Sequence, residues 1–121
     1  MLEPIPDLPA NVIGFEARGK VVGTDYEEIV IPVVEARLKE HDKLRMLYFC
    51  PKEDFDGADL QAVWDDAKTG LKHLKAWERA ALVTDVDWMR NMTKMFGFMM
   101  PCKVKVYREA EMDEAKAWIS E

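Results

Sequence analysis

The run Leu44-Arg45-Met46-Leu47-Tyr48-Phe49-Cys50, closed by Pro51, decides the fold. It is too short for an ordinary helix and too continuously apolar for a strand with one wet face, so it reads as a central strand buried on both sides. Working outward, the flanking segments alternate in type. Upstream, Val12 to Gly19 alternates loosely like a half-buried strand, and residues 2–7, punctuated by Pro4, Pro6 and Pro9, read as an edge strand hairpinned to it. Between these strands and the central run, Thr24 and Glu27 have capping-box spacing and start a helix at Asp25 that runs to about His41. Its apolar set is Tyr26, Ile29, Val30, Val33, Val34 and Leu38. Pro32 falls inside and predicts a kink, because a proline in a helix interior costs about 3 kcal/mol.

Downstream, residues 51–57 form an acidic loop. Residues 58–77 then place Leu60, Val63, Trp64, Ala67, Leu71 and Leu74 at helical spacing, with Asp65, Asp66, Lys68, Lys72 and Lys75 largely opposite. Arg79 to Thr84 reads as a strand, Val86 to about Met99 as a helix, Lys103 to Tyr107 as a strand and Met112 to Ile119 as a last helix. Strands alternating with helices point to an α/β layer fold. At 121 residues the chain is expected to be a single domain, 1–121, and no repeat or linker interrupts it.

Composition narrows the function classes. With 49% apolar residues the chain can build a core without disulfide or metal staples. Seventeen basic against 23 acidic residues give a net charge of -6, with no cationic block of the kind phosphate contacts need, so nucleic acid is not an expected partner. Cys50, Cys102, His41 and His73 have no zinc-ligand spacing, and no metal or other cofactor is expected. Met1-Leu2-Glu3-Pro4 lacks the features of a signal peptide, which predicts a cytoplasmic, thiol-reduced location. The uncharged apolar stretch Met95 to Cys102 spans only eight residues, well short of a membrane span.

Three motifs carry a family resemblance: Val83-Thr84-Asp85-Val86-Asp87-Trp88, Gly97-Phe98-Met99-Met100-Pro101 and Trp64-Asp65-Asp66-Ala67-Lys68. With the element order, they make the chain resemble, over nearly its whole length, the SpoIIAA-like family of small bacterial proteins related in fold to STAS domains. The resemblance implies a single mixed sheet of four or five strands with about four helices, mostly on one face. It also implies an apolar pocket comparable to that of CRAL-TRIO lipid carriers. The anti-sigma factor antagonists among the STAS relatives carry a phosphorylatable serine after the central strand. Here the corresponding turn, Glu53-Asp54-Phe55-Asp56-Gly57, has no hydroxyl, and Ser120 is the one serine in the sequence. A phosphorylation-controlled switch is therefore not expected.

Candidate sites divide into polar and apolar sets. Asp54, Asp56, Asp85 and Asp87 follow two strand ends, where paired carboxylates can bind a divalent cation; the competing reading is that they cap the helices that follow. Cys50 and His73 have no spacing that brings them together, so no catalytic set is assigned and an enzyme is not expected. The helix after Asp85 is the unusual part, for Met89, Met92, Met95, Met99 and Met100 fall there beside Trp88, Phe96 and Phe98. A helical wheel puts Trp88, Met92, Met95, Phe96 and Met99 on one apolar stripe, with Arg90, Asn91 and Lys94 opposite. Methionine is overused where a surface must adapt to varied ligands, and Gly97 offers a pivot for a lid.

The leading expectation is thus a non-catalytic module whose Met-rich helix covers a cavity for a lipid-like or other non-polar molecule, lined by Trp64, Trp88, Met92, Met95, Phe96 and Met99. The alternative is a STAS-type protein-interaction module without the phosphorylatable serine. Phe98, Met100, Asp54, Phe55 and Asp56 are the candidate contacts for a partner or for weak peripheral membrane association, and the exposed apolar area makes a homodimer a further expectation. If the capping box starts the first helix, Thr24→Ala costs about 1 kcal/mol of stability. An unchanged denaturation midpoint would move that helix start elsewhere.

Overall fold

A computed structural model describes residues 2–21, 28–29, 31–53, 55–58, 77–96 and 102–121, without the side chains of 20, 21, 55–58, 92 and 96. The expected central strand is there: β4, Leu44–Cys50, has Leu44, Leu47 and Cys50 wholly buried. On one side it pairs in parallel with β2 (Val12–Ala17), and on the other with β6 (Trp77–Thr84). β1 (Leu2–Pro4) adds antiparallel to β2 as the expected hairpin, and β7 (Lys103–Tyr107) adds parallel to β6. With β3 (Gly19–Val21) and β5 (Phe55–Ala58) counted in chain order, the main sheet runs β1-β2-β4-β6-β7. It is a mixed sheet of five strands, α/β in class.

Parallel strands need cover on both faces. One face carries α1 (Ile31–Leu38) and α2 (Asp87–Phe96): Val34, Val33, Leu38 and Met89 pack against Ile13, Phe15, Ala17 and Leu44. The other carries α3 (Met112–Ser120), entered through a 3₁₀ turn at Glu109–Glu111, with Ala115 and Ile119 buried on Val12, Leu47, Ala81 and Val83. Ile5 and Leu8, from the loop after β1, complete this second core. Their close approach depends on Gly14, where a Cβ would lie 2.5 Å from Leu8 Cδ1 and 3.1 Å from Ile5 Cβ.

Several expected boundaries move. Residues 55–57, assigned to an acidic loop, form with Ala58 the strand β5, which pairs in parallel with β3 in a separate two-stranded sheet. Neither strand has a local apolar pattern, so the long-range pairing prevails over their composition. The strand beginning at Val12 ends at Ala17, and Gly19, at φ 59°, turns the chain in the left-handed region before β3. The helix expected over 58–77 cannot include its end residues, since Ala58 and Trp77 are in strands; 59–76 lie outside the described residues. Pro32 is the second residue of α1, with residues 28 and 29 in π-helical backbone ahead of it and residue 30, between them, outside the described residues. The Thr24–Glu27 box lies outside the described residues.

The last turn of α3 is held by an arrangement that no apolar pattern announces. Arg45 and Arg79 are direct register partners on β4 and β6. Arg45 Nη1 donates to the Ile119 carbonyl at 3.0 Å, and its Nε meets Glu78 at 3.2 Å. Arg79 Nη1 donates to the Trp118 carbonyl at 2.8 Å, and its guanidinium also lies 5.1 Å from the Trp118 ring. Lys105 approaches the same ring at 4.9 Å. Cations thus meet the negative end of the α3 dipole and bond its last carbonyls, of which that of Trp118 also accepts the Glu121 N–H at 3.3 Å. Arg45 is 8% exposed, so Arg45→Met is expected to cost about 2 kcal/mol by removing charge-assisted bonds and orphaning the Ile119 carbonyl. Urea denaturation measures this, and an unaltered midpoint would show that α3 stays in place without the pair.

Candidate functional site

In open α/β sheets the carboxyl ends of the strands are the usual place for ligands. Here that rim is tied together by its own loops. Thr84, fully buried at the end of β6, donates its hydroxyl to the Cys50 carbonyl at 2.7 Å and accepts the Val86 N–H at 3.1 Å. Arg90, reaching back from α2, donates Nη1 to the Thr84 carbonyl at 3.0 Å. Asp85 accepts the Glu109 N–H at 3.2 Å, and Glu109 in turn accepts the Lys52 N–H at 3.2 Å. Asp85 therefore binds neighbouring loops together rather than capping α2, while Asp87 is the first residue of that helix and favourably placed against its dipole. Asp54 and the side chain of Asp56 lie outside the described residues. Among the described residues no group of three His, Cys, Asp or Glu side chains converges as a metal site would require.

Cys50 sits at this rim as a neutral thiol. Burial pushes its pKa up to about 11, the Thr84 hydroxyl pulls the other way, and the negative charge of Glu109 adds to the rise. A thiol held protonated this far above neutrality is not a nucleophile at physiological pH. Burial also raises the Cys102 thiol and, with nearby carboxylates, the Tyr107 phenol.

The structure changes the facing expected for Arg90, Trp88 and Met95 on the Met-rich helix, while Asn91 and Lys94 are exposed as expected. Arg90, placed on the outer face by the hydrophobic pattern, is only 9% exposed, and Met89 packs toward the core. Trp88 and Met95, expected to line a cavity, are 43% and 69% exposed. The reason is geometric. Trp88 and Met95 lie some 200° and 140° around the helix from Arg90, so burying that guanidinium on the Thr84 carbonyl turns both outward. Of the other residues expected to line that cavity, Trp64 and Met99 fall outside the described residues, as do the side chains of Met92 and Phe96. The same holds for Phe98, Met100 and the side chain of Phe55 among the expected contacts. No helix among the described residues is long and apolar enough to cross a membrane.

A cleft of about 150 Å³ opens at the opposite end of β2, between the loop after β1 and α1. Pro4, Ile5, Leu8, Val12, Phe15 and Val33 supply apolar walls, and Asp7 and Arg37 its charges. None of these positions stands out in the sequence as a site, because the cleft joins a loop, a strand and a helix that come together only on folding.

The comparisons fit this geometry. The SpoIIAA-like family model matches residues 12–120. The chain belongs to the SpoIIAA-like family. A solved structure similar to it is an uncharacterised protein of the DUF3478 family with a SpoIIAA-like fold from Shewanella loihica PV-4. The two are 25% identical with a TM-score of 0.72, over 98% of this chain and 92% of that one. No curated protein matches the chain. The expected likeness to CRAL-TRIO carriers is not among these similarities, and lipid binding draws no support from them.

The raised thiol has a consequence for stability. A group whose pKa is higher in the folded state favours folding fully below its unfolded value, here 9.0, and that contribution is lost as the pH rises through about 11. Stability is therefore expected to fall between about pH 9 and 11, with a shallower slope in Cys50→Ala, as read from urea midpoints across that range. Equal slopes in the two proteins would place the alkaline loss elsewhere.

Proposed function

We propose that this SpoIIAA-like chain is a non-catalytic protein-interaction module of the STAS type, docking a partner protein on the outward face of α2. The observation that carries this reading is the exposed Trp88–Met95 face of α2. Arg90 is turned inward, at 9% exposure, while Trp88 and Met95 stand on the surface at 43% and 69%. The two are seven residues apart, two helical turns, and so share one face. Exposed aromatic and methionine side chains on a fixed element form the anchors of protein interfaces, and methionine adapts to the partner's contour.

The rest of the molecule agrees with a binding role. The rim where an open α/β sheet usually holds a substrate is tied up by Asp85, Glu109 and Thr84, and Cys50 is neutral there. Residues 53–57 contain no hydroxyl, so docking on this chain is without phosphorylation control of the anti-sigma antagonist kind. The SpoIIAA-like fold likewise supports a STAS-type module more than a lipid carrier.

The test is a stoichiometric complex recovered with the unaltered chain and compared with the double variant Trp88→Ala, Met95→Ala. At least a tenfold loss of affinity is expected, the size associated with truncating interface anchors. The thermal midpoint should change little, since both side chains are exposed. Undiminished binding by the variant would remove α2 as the docking face. Light scattering distinguishes a second copy of the chain from a different protein, and recovery of a stoichiometric apolar molecule by mass spectrometry would favour the ligand-carrier reading instead.

A further inference from the structure

We propose that the cleft between the β1–β2 loop and α1 binds a free α-amino acid with a branched aliphatic side chain. This site is separate from the outer face of α2 and does not rest on the interaction reading. Three features of the cleft converge on that ligand class.

The first is its pair of opposite charges. Asp7 and Arg37 both line the cleft, yet among the described residues Arg37 meets no carboxylate, and Asp7 no cation, at ion-pair distance. One guanidinium N–H group, on Nη1, is engaged with the Ala10 carbonyl. The remaining donors suit a carboxylate, which guanidinium recognises through paired charge-assisted bonds. Asp7 offers the complementary acceptor for an ammonium group. A ligand bearing one charge would satisfy one side chain and leave the other without a counter-charge, whereas a zwitterion answers both.

The second feature is the close seating of the loop that carries the acid. Asp7 has φ 63°, in the left-handed region that non-glycine residues adopt uncommonly, and the residues after it lie flat on β2 because Gly14 leaves Leu8 room. The third is size. Ile5, Leu8, Phe15 and Val33 supply the apolar walls of a space of about 150 Å³, and a cavity of that volume accepts a group about as large as benzene. A branched side chain of four carbons fits those walls, with the polar end of the amino acid at the open mouth between Asp7 and Arg37.

The test uses leucine, its deaminated carboxylate analogue and its decarboxylated amine analogue, titrated into the full chain by calorimetry. Leucine is expected to bind saturably, and each analogue at least tenfold more weakly, about the loss of one charge-assisted contact. Asp7→Asn, which keeps a residue tolerant of the left-handed backbone, should weaken leucine about tenfold and leave the carboxylate analogue unchanged. Arg37→Gln should weaken leucine and the carboxylate analogue and leave the amine analogue unchanged. The analogue series on the unaltered chain stands even if a variant folds poorly. No saturable leucine binding up to roughly 10 mM, equal affinity for leucine and either analogue, or the same response to both variants would overturn the proposal.

Discussion

The second face of the sheet depends on two guanidinium groups. β4 lies between parallel neighbours and is apolar on both sides, so a helix must cover each face. On the face away from α1 and α2 that cover, among the described residues, is α3, nine residues long, with Ala115 and Ile119 as its buried anchors. So small an apolar footprint leaves the carbonyls of the last turn to be satisfied over a hydrophobic surface. Arg45 and Arg79, placed side by side by the parallel register, meet them. The repulsion between adjacent cations is offset by the helix dipole, by Glu78 and Glu121, and by the face of Trp118. Moving either strand by one residue would turn one arginine to the other face and remove its bond to the last turn of α3.

A similar rule sets the phase of α2. A buried guanidinium must be hydrogen-bonded, and the Thr84 carbonyl, at the end of β6, is the acceptor within reach. Thr84 is itself fixed through the Cys50 carbonyl and the Val86 N–H. The rotation of the helix thus follows from the end of a strand rather than from its own hydrophobic pattern, and Trp88 and Met95 are carried to the surface.

Those two cases separate what was legible in the sequence from what was not. β4, β6, β7 and α3 could be read because their apolar runs or alternation are local and their punctuation, such as Pro51, is unambiguous. β3 and β5 could not, because Phe55-Asp56-Gly57-Ala58 has the composition of a turn and becomes a strand only by pairing with residues far away in the chain. Arg45 sat unremarked inside an apolar run. The wheel for α2 assumed that apolar residues face inward, an assumption that fails when one polar side chain has a buried acceptor waiting. The candidate site was legible only as a segment: its Met-rich helix was found, with Asn91 and Lys94 exposed as expected, but Arg90 is buried and Trp88 and Met95 are exposed, and Asp85, read as a cation ligand or a cap, instead binds a neighbouring loop.

These constraints also determine where binding surfaces can lie on this SpoIIAA-like fold. Open α/β sheets ordinarily hold ligands at the carboxyl ends of their strands, because loops diverge there and leave a crevice. In this chain the loops converge. Asp85 binds the amide of Glu109, Glu109 binds the amide of Lys52, and Thr84 joins β4 to β6. Among the described residues, the amides of Lys52, Val86 and Glu109 are engaged within the rim, and the Cys50 thiol there is held neutral by burial. The apolar and charged side chains that the fold does leave at the surface lie elsewhere: on the outer face of α2, where Trp88 and Met95 are exposed, and at the cleft by the amino end of β2, where Gly14 lets a loop lie close and Asp7 and Arg37 form no ion pair among the described residues.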